Sequence, residues 1–154
     1  MPSERSPGME WLNGPLVWAI DEWHQAMYLF PRDCPRVLLW PKEESTQEDV
    51  DRYLGPSAAR IVAYIESSWA DTLENTSIYR YQLPTTTFED LEDAGMFVSR
   101  VAVTPMATTR VEGLPERLAS ENVELRVVES LMPLRDVWNS TLHASGIRLR
   151  NAKN

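Results

Sequence analysis

The sequence holds one cysteine, Cys34, in 154 residues, which excludes an internal disulfide and any cysteine-built zinc site. Histidine is nearly as scarce. His24 and His143 are the only two, and their separation fits no metal motif, so no metal is expected. The six glycines stand singly, with no Gly-rich phosphate loop among them, which leaves both doubly wound nucleotide-binding motifs unsupported. Apolar runs are short. Ile61-Val62-Ala63-Tyr64-Ile65 is far below the roughly 20 residues that cross a bilayer, so no membrane partner is expected. The first eight residues, Met1 to Gly8, lack the basic start and apolar stretch of a secretion signal, and the cytoplasm is the expected location.

What is present is ordinary for one globular domain: 43% hydrophobic and 25% charged residues, too apolar for disorder. The net charge of −8 is uneven. Residues 41–93 carry 12 acids against 4 bases, whereas Arg126 to Asn154 carry five bases against two acids. An acidic middle and a pI near 4.8 argue against duplex nucleic acid, whose binding rests on neutralising many phosphates. Residues 1–14 are expected to be a flexible N-terminal segment, in which Trp11 would pack across a groove or mark an interface. Residues 15–154 are expected to form a single domain.

The pattern of the chain predicts more strands than helices. Leu16–Ile20 reads as a buried strand, Asp21 as a helix cap, and Trp23, Ala26, Met27 and Phe30 as one apolar helical stripe. After the Pro-bounded loop 31–36, Val37–Trp40 reads as a strand and Gln47–Leu54 as a short helix ended by Gly55-Pro56. Arg60–Glu66 is nearly continuous in apolar character and should be central. Ser67 or Ser68 would cap a helical turn through Leu73. Ser77–Leu83 alternates, with Tyr79, Tyr81 and Leu83 as an aromatic inner face. Gly95–Ser99, Val101–Thr104 and Val123–Val128 read as strands, and Pro115 opens a helix to Glu121 with Asn122 left-handed behind it. Pro133–Ala144 is predicted as the best helix, burying Trp138, with a last strand over Ile147–Arg150. The fold class is therefore α+β: twisted, largely antiparallel sheet with short interspersed helices.

Several residues carry possible chemistry. His24 and Tyr28 lie four apart on one helical face, a spacing that suits an acid–base histidine beside an orienting tyrosine. Arg32 and Arg36 flank Cys34 at two residues and would favour its thiolate, yet the loop supplies no base, so a structural corner is the expected role. There the arginines would pair with Asp33 and the acids of 41–51, or face an anion. Glu66, Glu22 and Asp21 stand at strand ends, where carboxylates serve as catalytic groups or as caps. His143 would sit at a helix C-terminus, favoured by the dipole.

Two stretches carry a resemblance. Val17-Trp18-Ala19-Ile20-Asp21 with His24, running through Phe30-Pro31-Arg32-Asp33-Cys34-Pro35-Arg36-Val37, resembles a small uncharacterised bacterial protein family. Tyr79–Pro84, Val98-Ser99, Val103-Thr104-Pro105 and Pro133–Asp136 extend the likeness over residues 15–152. More distantly, the order of a strand with Ala19-Ile20-Asp21, a helix with Ala26 and Tyr28, and a late Val98-Ser99 strand is similar to the ADP-ribosyltransferase-like superfamily. That likeness implies NAD bound in a cleft between two twisted sheets. The chain departs from the pattern where residues 1–14 lack a His-Phe-Ser stretch and where Arg100 and Val101 replace a late acid. The expected function is a small-molecule or nucleotide-binding domain of this fold, with or without activity. His24 and Tyr28 would be its catalytic residues, and Trp18, Asp21, Arg32 and Arg36 would contact the ligand. The alternative is a non-catalytic interaction module using the aromatic N-terminus and the acidic middle.

Overall fold

The structure, a computed structural model, describes residues 16–153, so the segment 1–14 and its Trp11 lie outside the described residues. The strands are β1 Val17–Ile20, β2 Arg36–Trp40, β3 Ile61–Glu66, β4 Ile78–Gln82, β5 Phe88–Asp90, β6 Met96–Ser99, β7 Ala107–Val111, β8 Val123–Val128 and β9 His143–Ile147. The α-helices are α1 Gln47–Tyr53, α2 Ala70–Asn75 and α3 Leu114–Ser120, with short 3₁₀ helices between elements. The class is α+β. The described residues divide into two compact units, 16–25 with Tyr79–Arg110, and Ala26–Ile78 with 111–153.

In the first unit β1 and β5 both pair antiparallel with β6, and β4 and β7 form a two-stranded ladder. The second unit holds a sheet of order β8-β3-β2-β9. Its β3 and β8 are parallel and its other pairs antiparallel, so the sheet is mixed. Strand β3 is buried throughout, as its unbroken apolar run requires of a strand covered on both faces. One face of the sheet, with Val37, Leu39, Val62 and Tyr64, joins Tyr53, Leu54, Leu131, Val137 and Leu142 in a single core. Burying each such aliphatic side chain contributes ~1.5–3 kcal/mol. Arg126 closes the end of α1. It donates to the carbonyls of Tyr53 and Leu54 and to the Tyr64 hydroxyl, and pairs with Glu124. That satisfies carbonyls left open where Gly55 turns the chain at φ +65°.

Several expectations need correction. The helix predicted over 133–144 is a 3₁₀ helix, Met132–Asn139, followed by β9, and the strand expected over 147–150 instead ends at Ile147, ahead of a 3₁₀ turn at Leu149–Asn151. Ser140 ends it in extended backbone, and its hydroxyl bonds the Val137 carbonyl and the Leu142 N–H, competing with helical pairing. Leu142, inside the span expected to be helix, then enters the core just before β9. Trp138 is 46% exposed rather than buried, lying over Gly146, where a Cβ would come within 2.8 Å of its ring. His143 belongs to β9, not to a helix end, and stacks on Trp40 at 3.9 Å. The segment 101–104 is not a strand; β5 and β7 are strands not foreseen. Tyr79 and Tyr81 are 59% and 57% exposed, so their shared face is not an inner one. Trp23 is also exposed, because the segment after Asp21 is a turn and a 3₁₀ helix, Gln25–Tyr28, in which a 3.6-residue stripe does not form. Neither Ser67 nor Ser68 caps α2; Trp69 precedes it without a side-chain cap.

Candidate functional site

In the first unit the chain leaves β1 at Asp21, whose N–H donates to the Gly95 carbonyl at 2.9 Å and prolongs the β1–β6 ladder by one step. The Asp21 carboxylate then accepts the His24 backbone N–H at 2.8 Å, closing a turn rather than capping the helix foreseen there, and lies 2.8 Å from His24 Nδ1. A carboxylate beside Nδ1 favours the tautomer that carries its proton there and fixes the direction of the ring. Trp23 meets the imidazole edge-on at 4.6 Å. Both polar side chains remain partly accessible, His24 at 21% and Asp21 at 37%.

Gly95 makes this arrangement possible. Its φ is +74°, and a Cβ there would lie 2.3 Å from His24 Nδ1 and 2.6 Å from Asp21 Oδ2. Two more residues of the same β5–β6 turn, Glu92 and Ala94, also have left-handed backbone at φ +55° and +46°. Such conformations cost about 1 kcal/mol each for residues with a Cβ. Trp18, half-buried on β1, pairs in register with Val98.

The second unit holds the rest of the predicted set. Tyr28 is 42% exposed at the end of its 3₁₀ helix, and Arg32 is exposed in the loop. Arg36, at the start of β2, is 2% exposed. Its Nε donates to the Met27 carbonyl at 3.0 Å, and Nη1 donates to the carbonyls of Cys34 at 3.0 Å and Pro31 at 3.4 Å. The guanidinium lies 5.6 Å from the Tyr28 ring and 5.1 Å from the Phe30 ring. Among the described residues no carboxylate lies within ion-pair distance of it, so the expected pairing with Asp33 and the acids of 41–51 is replaced by bonds to backbone carbonyls. Burial lowers its pKa to about 10, partly offset by Cys34 and Tyr28 and furthered by the like charge of Arg148.

Cys34 is fully buried, and its thiol donates to the Pro35 carbonyl at 3.6 Å. Burial pushes the thiol up from 9.0 to about 11, with Arg36 pulling the other way and Glu66 adding to the rise. A thiol reagent should therefore label the native protein slowly, and rapidly only in denaturant. The raised value also favours folding while the thiol stays protonated. That contribution is whole below pH 9.0 and fades as pH rises through about 11, so alkaline destabilisation should shrink in Cys34→Ala. Fast native labelling at neutral pH would overturn this reading of Cys34.

Glu66, a strand-end acid noted for possible chemistry, is 1% exposed and bonded inward. It accepts the Leu131 N–H at 3.0 Å and the Lys153 N–H at 3.0 and 3.2 Å. No local sequence signal marks a polar cavity of about 210 Å³ lined by Asp49, Arg52, Tyr53, Asp136, Asn139 and Ser140. Its Asp49 carboxylate is held by the Thr141 N–H and hydroxyl, which lower its pKa. Among the described residues no group of three His, Cys, Asp or Glu side chains would hold a metal ion, and no helix is long and apolar enough to cross a membrane.

A family model described as a family of unknown function (DUF6886) matches residues 1–152. No curated protein and no solved structure matches the chain.

Proposed function

Since the chain belongs to that family of unknown function, we propose from its own geometry that it binds a small molecule of the nucleotide class through the Asp21–His24 pair. The observation that supports this most is the carboxylate–imidazole pair packed against Gly95, at a distance no other residue would permit. A histidine held at Nδ1 presents Nε2 in a fixed direction, as a hydrogen-bonding group for a ligand or as an acid–base group. Trp23 beside it offers an aromatic surface for a base. The resemblance read from the sequence to ADP-ribosyltransferase-like proteins makes NAD the first ligand to try.

The test is a thermal-shift series of the whole chain with NAD, ADP-ribose and AMP. A ligand at a hundred times its Kd stabilises the folded state by about 2.7 kcal/mol, which shows as a rise in midpoint. His24→Gln should abolish that rise, and Gly95→Ala should abolish it too by pushing Asp21 and His24 apart. The reading fails if none of the three moves the wild-type midpoint, or if His24→Gln responds as the wild type does. A second reading, a protein-interaction module, draws on the exposed Tyr79 and Tyr81 that share one face of β4. It predicts that replacing both by serine leaves nucleotide response intact and removes self-association in sedimentation.

A further inference from the structure

Two segments of the second unit meet at one end of its sheet. Arg36 is the register partner of Ile147, the residue before Arg148, and the Asn151 side chain donates to the Asp33 carbonyl at 2.7 Å. The loop 31–36 and the turn 148–151 are thereby tied together. Arg148 itself has left-handed backbone, φ +55° and ψ 31°, and its carbonyl accepts the Asn151 N–H at 3.0 Å. A Cβ-bearing residue held there carries strain of the kind that collects at binding sites.

The charges at this corner do not balance. Residues 31–36 and 147–153 bring Arg32, Arg36, Arg148, Arg150 and Lys153 together with one acid, Asp33. Lys153 pairs with Glu129, and Glu66, the nearby buried acid, has its oxygens taken by the N–H groups of Leu131 and Lys153. Among the described residues neither Arg32 nor Arg148 is paired with a carboxylate. Arg36 is a buried cation whose bonds run only to carbonyls, and burying a charge without a counter-charge is costly. The like charge of Arg148 weighs on it further. An anion at the surface of this corner would relieve both terms.

We infer that this corner is a phosphate-binding site, in which the Arg148 and Arg32 guanidinium groups contact the anion and buried Arg36 adds its field from behind. A guanidinium fork matches phosphate oxygens in a bidentate manner, and a doubly charged anion offsets two arginines where one carboxylate would not. Pro31 and Pro35 limit the motion of the loop, so little entropy is lost on binding. The inference uses different residues from the Asp21–His24 reading, and the two stand or fall separately.

The experiment titrates the whole chain with inorganic phosphate against chloride at constant ionic strength, followed by calorimetry and the thermal midpoint. Arg148→Asn is the informative variant, because asparagine accepts left-handed backbone while removing the guanidinium. The expected result is binding by the wild type at millimolar phosphate and at least tenfold weaker binding by Arg148→Asn, with its ligand-free midpoint no lower than that of the wild type. Arg32→Gln, on an exposed side chain, should also weaken binding and serves if Arg148→Asn does not fold. AMP distinguishes the source. Tighter binding of AMP than of phosphate, lost in Arg148→Asn, assigns a nucleotide phosphate, and equal binding assigns free phosphate. No phosphate response in the wild type, or full response in the folded variants, overturns the site.

Discussion

Glu66→Leu is expected to lose ~4 kcal/mol of stability, because the buried Leu131 N–H and the part-buried Lys153 N–H lose a charged acceptor, and bonds to charged groups contribute about 1.5–3 kcal/mol each. The carboxylate sits at the end of β3 and holds Leu131 and Lys153, residues 65 and 87 positions away. It therefore closes two long loops with one side chain. Against a total stability of ~5–15 kcal/mol, the loss would bring much of the chain close to unfolding. Urea denaturation of the second unit's signal should show a lower midpoint with an unchanged slope. Glu66→Gln, which keeps the shape and one acceptor oxygen, should fall between the two proteins. A change below about 1 kcal/mol in Glu66→Leu would mean that water replaces the carboxylate and that the strand end is open.

Arg36→Met should cost ~3 kcal/mol, the second largest loss expected. Two effects oppose each other. Removing a buried cation saves its desolvation, while the carbonyls of Met27, Pro31 and Cys34 lose a charged donor, and such bonds contribute about 1.5–3 kcal/mol each. The second effect wins because one guanidinium gathers three carbonyls of a short stretch, although Pro31 also accepts the Cys34 N–H and Asn151 holds the Asp33 carbonyl. Arg36→Lys should rescue little, since an ammonium has no planar fork to span three acceptors. Hydrogen exchange is the direct measure, with residues 27–35 losing protection before the β3 amides do. Uniform loss across the sheet would show instead that Arg36 supports the sheet rather than the loop.

Much of the second unit was legible in the sequence because its signals are local or cumulative. The apolar run of β3, the Gly55-Pro56 stop of α1, Pro115 at the start of α3 and left-handed Asn122 behind it all act through backbone sterics or burial, and each was placed within a residue or two. The end of the chain was not legible, since Pro133, Leu134, Val137 and Trp138 fit a helical face that the following Asn-Ser-Thr breaks. The choice of strand for His143–Ile147 was made by the open edge of β2. Likewise the alternation over Ile78–Gln82 tells which side chains share a face and not which face is covered, so the exposure of Tyr79 and Tyr81 had no sequence signal.

The candidate residues divide in the same way. The turn-closing chemistry of Asp21 and its reach to His24, three residues on, are local and follow from the sequence. That Gly95 lies against this pair, 71 positions beyond His24, was decided by the pairing of β1 with β6. Arg32, Cys34 and Arg36 were singled out by composition, but only the fold decided which cation is buried on carbonyls and brought Arg148 beside it. Sequence determines the charge and conformational limits of each residue within a few positions. Which charges meet, and which are left without a counter-charge, depends on contacts between distant segments, which no local pattern records.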